Sequence, residues 1–208
     1  MQRQMRREKE EYWTYNPTLN IYKIVEETKS EGPGKRFAIW VQGCSRMCKG
    51  CFAKETWSFE TNQIYTVYDI ISIIQRHPEV EGITILGGEP LEQSAAIVEL
   101  VSKARMLGLS VVLFTGYTFN NIKESDNTEW KRLLGCIDVL IDGEYREAEK
   151  CFDIPLIGSR NQNILFLTDR YTISDFTNNR IEIRIKKNGT ILYNGMGDFE
   201  SIKTNFKE

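Results

Sequence analysis

Short apolar runs alternate with amphipathic segments of helical period along most of the chain, and this alternation limits the folds that the chain can adopt. The apolar runs, each predicted to be a strand, span residues 36–42, 82–86, 109–115, 137–141 and 163–167. The helical segments span residues 66–76, 91–107 and 118–134, the last with a polar break at 125–127. Strands that are apolar on both faces are typical of a parallel sheet with helices outside it. The sequence therefore predicts an α/β fold.

The chain is predicted to form one globular domain with a short N-terminal extension. Its 208 residues suffice for a medium-sized domain with its own core. Residues 1–16 are predicted to be an arm, and residues 17–208 the domain. Near the C-terminal end, apolar residues on both sides of Asn188-Gly189 predict a β-hairpin formed by residues 181–186 and 190–193.

Composition and charge argue against several classes of protein. The formal net charge is −2, which argues against general binding of nucleic acid or another polyanion. No run of about 18 apolar residues occurs, and no apolar stretch follows the charged N-terminus, so neither a membrane span nor a secretory signal is predicted. We therefore expect a cytoplasmic protein, in a reducing compartment where cysteines serve as metal ligands or catalytic groups more often than as disulfides.

Three of the five cysteines lie within eight residues of one another. Cys44, Cys48 and Cys51 have the spacing C-x3-C-x2-C and follow directly on the first predicted strand. Three thiolates fill three sites of a four-iron cluster and leave the fourth iron open, whereas a cluster with four cysteine ligands mostly carries electrons. The three cysteines therefore predict a [4Fe–4S] cluster with one iron available to a substrate or cofactor.

A zinc site is the main alternative for the three cysteines, and a disulfide arrangement is a weaker one. Structural zinc has four ligands, usually Cys or His. The single histidine, His77, precedes Pro78 and is interpreted as a helix-end residue. Cys136 or Cys151 could supply a fourth thiolate, but zinc motifs usually comprise two close pairs. We interpret these two cysteines as structural and favour the iron–sulfur cluster.

A second motif, Gly87-Gly88-Glu89-Pro90, follows a predicted strand and opens the next helix. Glycines at such a position let the backbone approach a ligand and leave amide and carbonyl groups free for it. A Gly-Gly turn after a strand is common on its own, so this interpretation depends on the nearby cysteines. Thr115-Gly116-Tyr117 follows another strand. Because the functional groups of parallel sheets collect at the carboxyl ends of the strands, we expect all three segments to lie together.

With these two motifs the sequence resembles the radical S-adenosylmethionine enzymes, in which C-x3-C-x2-C follows the first strand and G-G-E-P follows the second. The resemblance implies a partial parallel (β/α) barrel. It implies a [4Fe–4S] cluster held by the three cysteines, with S-adenosylmethionine bound at the open iron. It also implies that the Gly-Gly-Glu residues lie near the methionyl amine and Phe52 near the adenine. Pro90 and Thr115 are expected to belong to the same cofactor pocket.

A narrower resemblance to the glycyl-radical activases covers nearly the whole chain. It is strongest to the activating component of anaerobic ribonucleotide reductase, and pyruvate formate-lyase activating enzyme is also similar. The segments concerned, besides the two motifs, are residues 32–36, 56–57, 115–117, 138–143 and 158–162. The resemblance implies an oxidoreductase that cleaves S-adenosylmethionine to a 5′-deoxyadenosyl radical and installs a glycyl radical on a large partner protein. It further implies a flavodoxin- or ferredoxin-type reductant. Ala53 departs from the subfamily, which commonly has Asn at this position.

Two other functions are compatible with the sequence. A radical enzyme acting on a peptide or small molecule would share both motifs, although the deazaguanine-synthesis family has a longer insert between its first two cysteines. A non-enzymatic protein that relays electrons or scaffolds a complex would not need the Gly-Gly-Glu-Pro segment. Weaker candidate residues are Arg36, as a contact to cofactor or partner or else a surface residue; Asp142, more simply part of an Asp-Gly turn; and Asn161 and Gln162, as a loop over the cofactor.

Overall fold

The computed structural model of the protein describes residues 15–176 and 179–197. All but two residues of the predicted N-terminal arm lie outside these ranges. Within them, seven strands form one sheet. In chain order they are β1 (Thr18–Thr28), β2 (Arg36–Val41), β3 (Gln63–Thr66), β4 (Gly82–Gly87), β5 (Ser110–Phe114), β6 (Val139–Asp142) and β7 (Asn163–Phe166).

The spatial order of the strands is β3-β1-β2-β4-β5-β6-β7. The central strands β2, β4, β5 and β6 are parallel to one another, which confirms the parallel sheet expected from the sequence. The flanking strands are antiparallel to their neighbours: β1 to both β2 and β3, and β7 to β6. The molecule is therefore a mixed α/β fold with a mostly parallel central sheet, and the sheet is open, with β3 and β7 at its edges.

Four α-helices accompany the sheet in the described ranges. They are α1 (Val67–Ile74), α2 (Ser94–Met106), α3 (Phe119–Glu124) and α4 (Thr128–Leu134). The polar break at 125–127 thus ends one helix and begins another, as predicted. The side chain of Thr66 accepts from the amide of Asp69, whose carboxylate accepts from the amide of Thr66, and this capping box fixes the start of α1. None of these helices is both long and apolar enough to cross a bilayer.

Both faces of the central sheet are buried by apolar side chains. Along β5, Val111 and Leu113 belong to a larger cluster that includes the inner faces of the helices. The intervening Val112 belongs to a smaller cluster on the opposite face, together with Ile141 and Ile157. Burial on both faces explains why the central strands are continuous apolar runs in the sequence.

Arg36 lies where neither interpretation of it had placed it. It is fully buried at the start of β2, paired in register with Gly82, and so at the end of the sheet opposite the sequence motifs. Its guanidinium donates to Thr84 Oγ1 at 3.1 Å, to the carbonyl oxygen of Ile83 and to the hydroxyl of Ser110. Arg36 is therefore neither a surface residue nor a contact to a ligand at the motifs; it joins β2, β4 and β5.

A two-stranded hairpin follows the main sheet, as the sequence predicted. Its strands are β8 (Ile181–Ile185) and β9 (Ile191–Gly195). The buried side chain of Asn194 attaches the hairpin to the segment after β1. Its Nδ2 lies 2.9 Å from Thr28 Oγ1, 2.6 Å from Ser30 Oγ and 3.1 Å from Glu31 Oε1.

Candidate functional site

The segments that follow β2, β4 and β5 border a single cavity of about 720 Å³. The three thiols of Cys44, Cys48 and Cys51 line it. Gly87, Gly88 and Glu89 line it from β4, and Thr115 and Gly116 from β5. The expectation that the motifs meet at the carboxyl ends of the parallel strands is confirmed.

Backbone hydrogen bonds close the cysteine loop, residues 43–57. The amide of Gly43 donates to the carbonyl of Thr56 at 2.8 Å, and the amide of Cys44 donates to the carbonyl of Trp57 at 3.1 Å. Gly43 adopts φ +99°, and a Cβ on this residue would lie 2.9 Å from the ring of Phe59. A glycine is thus required where β2 turns into the loop.

The chemistry and spacing of the three thiols suit a cluster better than a single ion. All three cysteines are free. Thiolates held at about 2.3 Å from a tetrahedral zinc ion lie about 3.8 Å apart, but the three sulphurs are not gathered within 4.8 Å of one another in the described chain. A four-iron cluster separates its ligands more widely, because each thiolate binds a different iron. Burial raises the pKa of the Cys44 and Cys51 thiols, so binding depends on the positive charge of the metal to displace their protons.

The Gly-Gly-Glu-Pro segment is hydrogen-bonded directly to the start of the cysteine loop. The amide of Gly88 donates to the carbonyl of Val41, and the amide of Glu89 donates to that of Gly43, both at 2.8 Å. A Cβ on Gly88 would lie 2.3 Å from the carbonyl oxygen of Gly43. This approach leaves no room for a side chain, which gives a physical reason for glycine here.

Glu89 is a buried carboxyl at the base of this segment. Its Oε1 accepts from the amide of Leu91 at 2.9 Å and from Thr115 Oγ1 at 2.8 Å, and its Oε2 accepts from the amide of Gly116 at 2.8 Å. Burial raises its pKa to about 7, against the opposing effect of these donors. Pro90 begins a 3₁₀ turn (Pro90–Gln93) and is buried, but it does not line the cavity, so its place in a cofactor pocket is indirect.

Phe52 forms an aromatic wall of the cavity. Its ring centroid lies 4.9 Å from that of Tyr145 and 5.9 Å from that of Phe152. A Cβ on Gly158 would approach the Phe52 ring to 3.1 Å, so the loop of residues 158–162 passes close to this ring. Phe52 is 39% exposed, and the ammonium of Lys150 lies 5.4 Å from its ring centroid. Tyr145 was not singled out in the sequence, because it lies in a loop without a recognisable pattern.

Another part of the cavity wall carries polar residues that the sequence did not indicate. Glu31 is buried, accepts from Asn194, and has a pKa raised to about 7 by burial. The ammonium of Lys23 lies 4.1 Å from the ring centroid of Trp40. Tyr193 completes this wall from the hairpin. These residues are distant in sequence, and only the folding of the hairpin onto β1 brings them together.

Asn161 and Gln162, which were expected to hold a loop over the cofactor, differ in whether they line the cavity. Gln162 lines the cavity, accepts from the amides of Gly158 and Ser159, and donates to the carbonyl of Gly143. Asn161 donates to the carbonyl of Glu144 and does not line the cavity. Both therefore hold the loop in shape.

Asp142 does more than form a turn. Its buried carboxylate accepts from the amide of Phe119 at 2.6 Å, at the start of α3. The same carboxylate accepts from Asn163 Nδ2 at 2.8 Å, on β7. Asp142 thus links the carboxyl end of β6 to a helix and to the neighbouring strand.

The remaining cysteines and the histidine lie away from the cavity. Cys136 packs against the larger apolar cluster and Cys151 is buried in the smaller one, as expected for structural residues. The imidazole of His77 lies 3.0 Å from Glu27 and 3.1 Å from Glu26. None of the three lines the cavity, so none supplies a fourth ligand to the cysteine loop.

A three-cysteine loop at the carboxyl ends of parallel strands defines a protein of the iron–sulfur class. The family described as "4Fe-4S single cluster domain" matches residues 30–165, and the chain belongs to this family.

Three similar proteins share one name. The chain is 34% identical over 146 residues to the anaerobic ribonucleoside-triphosphate reductase-activating protein of Enterobacteria phage T4, covering 66% of this chain and 88% of that protein. It is 32% identical over 154 residues to the protein of that name from Vibrio cholerae serotype O1, with coverages of 70% and 97%. The Escherichia coli K12 protein is 30% identical over 152 residues, with coverages of 69% and 96%. A crystal structure of QueE from Escherichia coli is similar with a TM-score of 0.42 and 20% identity, covering 49% of this chain and 53% of that one.

Proposed function

We propose that this protein is a radical S-adenosylmethionine enzyme that installs a glycyl radical on a partner protein, as an activase of anaerobic ribonucleotide reductase. One observation carries the proposal. The cysteine loop and the Gly-Gly-Glu-Pro segment are joined by hydrogen bonds at Gly88 and Glu89 and border one cavity. The matches span most of the length of each relative, and the names of the relatives support the same function.

Within this proposal each segment has a distinct role. Cys44, Cys48 and Cys51 would hold a [4Fe–4S] cluster, leaving one iron for S-adenosylmethionine. The chemistry that the two bound groups supply is one-electron cleavage of S-adenosylmethionine to methionine and a 5′-deoxyadenosyl radical.

The chain itself positions the cofactor. Backbone groups of Gly87 and Gly88 are held against the cysteine loop, beside the site where the methionyl amine would bind. The carboxyl of Glu89 offers that ammonium an acceptor. The ring of Phe52 offers the adenine an apolar face.

The shape of the fold supports a macromolecular substrate. The four parallel strands with helices on one side support the proposal that the sheet is the incomplete (β/α) barrel of this enzyme class. An open sheet gives the cavity a mouth through which a glycine-bearing loop of a partner could enter, so that its α-carbon is held close to the radical. We further propose that a flavodoxin- or ferredoxin-type protein supplies the electron.

The test is anaerobic and quantitative. After cluster reconstitution, dithionite and S-adenosylmethionine are added and 5′-deoxyadenosine is measured. We expect product from the wild type and none from Cys44→Ala, Cys48→Ala or Cys51→Ala, because each leaves an iron without its ligand. Cys136→Ala and Cys151→Ala are the matched controls and should retain both iron and product.

The second stage tests the partner. With an anaerobic ribonucleotide reductase present, we expect a glycyl-radical signal by electron paramagnetic resonance that requires the wild-type activase. Product without such a signal would indicate a different substrate. A fully loaded cluster that yields no product even with the reductase present would refute the radical function and favour an electron carrier.

A further inference from the structure

Arg46 lies between the first and second cysteines and joins the cysteine loop to two neighbouring loops. Its guanidinium carbon lies 4.8 Å from the ring centroid of Tyr117, and its Nη2 lies 3.2 Å from the carboxylate of Glu144. The absence of a side chain at Gly116 leaves room for Arg46, because a Cβ there would lie 3.2 Å from both Cγ and Nε of Arg46. The ring of Tyr117 and the carboxylate of Glu144 therefore both hold the guanidinium at the cavity wall.

One donor of this guanidinium has no acceptor. The Nε of Arg46 is buried and has no hydrogen-bond partner within the part of the chain that the structure describes, although the residue lines the cavity. The side chain is 29% exposed and its charge is paired with Glu144, but a buried N–H without an acceptor is still costly. Guanidinium N–H groups bind carboxylate and phosphate oxygens in preference to other acceptors. An anionic oxygen of a ligand in the cavity would satisfy this donor.

The unpaired donor lies close to a buried acid. The Cβ position built on Gly116 lies 3.2 Å from Arg46 Nε and 3.4 Å from Glu89 Oε2. Glu89 Oε2 accepts one hydrogen bond, from the amide of Gly116, and a carboxylate oxygen has room for two. A cationic donor and a carboxyl acceptor thus lie close together on the same side of one glycine. The α-ammonium and α-carboxylate of an amino acid are complementary to this arrangement.

We propose that Arg46 binds the α-carboxylate of the methionyl group of S-adenosylmethionine, opposite the ammonium at Glu89. The inference rests on the proposed function, which supplies the identity of the ligand. One carboxylate oxygen can bind the open iron while the other accepts from Arg46, since the group offers about four lone pairs. Arg46 then selects ligands that carry a carboxylate, a selectivity that the aromatic wall at Phe52 cannot provide.

The test compares two ligands in the reconstituted holoprotein. Dissociation constants for S-adenosylmethionine and its decarboxylated analogue are measured by equilibrium dialysis, with the cluster's electron paramagnetic resonance spectrum recorded for each complex. In Arg46→Gln we expect S-adenosylmethionine to bind about tenfold or more weakly, as for loss of a charged hydrogen bond. The affinity for the decarboxylated analogue should change less than about twofold. Arg46→Lys, which keeps the charge but not the fork of donors, should fall between wild type and Arg46→Gln.

Two matched variants separate ligand binding from a structural role. Glu144→Gln breaks the ion pair of Arg46, and Lys49→Gln removes another cation of the same loop, whose side chain is 92% exposed. Lys49→Gln should bind S-adenosylmethionine as the wild type does, and Glu144→Gln should weaken binding less than Arg46→Gln, because the guanidinium remains against Tyr117. If Arg46→Gln weakens both ligands equally, Arg46 is structural and the inference is wrong. Should Arg46→Gln lose iron, the same two-ligand comparison in Arg46→Lys decides the question. Failure of the wild type to bind S-adenosylmethionine would instead overturn the proposed function.

Discussion

Two carboxyl groups buried in the cavity wall have strongly raised pKa values. Burial raises the pKa of both Glu31 and Glu89 to about 7. Each therefore holds its proton more tightly in the folded chain than in the unfolded chain, where a glutamate titrates near 4.5. The resulting stability is fully present below about pH 4.5 and is lost as the pH rises through 7.

Replacing either acid by glutamine should remove its share of this pH dependence. A shift of about 2.5 pKa units corresponds to at most about 3 kcal/mol per group. The unfolding free energy of Glu31→Gln or Glu89→Gln, minus that of the wild type, should therefore be larger at pH 8 than at pH 5 by up to this amount. Urea unfolding of the cluster-free protein at the two pH values measures the difference.

The matched position for this comparison is Glu60, an exposed carboxylate near the cysteine loop. The same substitution there isolates the effect of burial from that of removing one negative charge. If Glu31→Gln and Glu89→Gln track the wild type at both pH values, as Glu60→Gln is expected to do, the two acids are not held protonated by the fold.

At the scale of single elements, side-chain hydrogen bonds attach the β8–β9 hairpin to β1 and to the segment after it, among them those of one buried amide. The two N–H groups of Asn194 Nδ2 are shared among oxygens of Thr28, Ser30 and Glu31. Asn194 and Tyr193 also line the cavity. Docking of the hairpin therefore shapes one wall of the site.

Loss of this amide should loosen the hairpin. Asn194→Ala removes the hydrogen bonds of Nδ2 and the one that Arg184 donates to Oδ1, and it leaves a buried acid less well solvated, which should cost about 1–3 kcal/mol. In hydrogen exchange, we expect faster exchange of amides 181–195 and unchanged exchange in β5. Lys187→Ala, at an exposed position of the turn, is the control. Equal protection of the hairpin in Asn194→Ala and wild type would show that the remaining contacts suffice to hold it, among them those of Arg184 to the carbonyl of Glu27 and of Glu182 to the amide of Lys29.

Elements with a strong local pattern were predictable, and those whose pattern depends on distant partners were not. The central strands and α1 are apparent in the sequence because both faces or one stripe of each are apolar. β1 was not expected as a strand. Beyond Ile21 it carries Lys23, Glu26 and Glu27 on partly exposed positions, so its alternation is weak. Arg36 was misplaced for a related reason: its burial depends on Thr84 and Ser110, acceptors on strands far along the chain.

The residues of the candidate site differ in the same way: some have a local sequence signal and others do not. The cysteines and the Gly-Gly-Glu-Pro segment could be found because their spacing is local and chemically specific. Glu31, Tyr145 and the hairpin residues line the same cavity without any local signal. Arg46 is one of several cations in a polar loop, and its contacts at Gly116 distinguish it.

At the scale of the whole molecule, the site and the core are stabilised by different interactions. Two apolar clusters, one on each face, hold the sheet, and none of the three cysteine thiols is needed to join the central strands. The cysteine loop, by contrast, exposes alternate residues from Ser45 to Lys49, and its ends are fixed by the bonds of Gly43 and Cys44 to residues 56 and 57. All three expected cluster ligands lie in this loop. A bound cluster should therefore stabilise the loop far more than the sheet, because a ligand stabilises the part of the structure that must be formed to bind it.

Removing the iron should accordingly loosen the loop while leaving the sheet intact. We expect amides 45–55 to exchange about tenfold or more faster in iron-free protein than in reconstituted protein, while amides 110–114 of β5 remain equally protected. Hydrogen exchange with mass spectrometry measures both regions in one experiment. Cys48→Ala, which cannot complete the ligand set, should show the iron-free pattern whether or not iron and sulfide are supplied. Loss of protection in β5 on iron removal would mean that the cluster stabilises the whole domain, and no change in the loop would place the iron elsewhere.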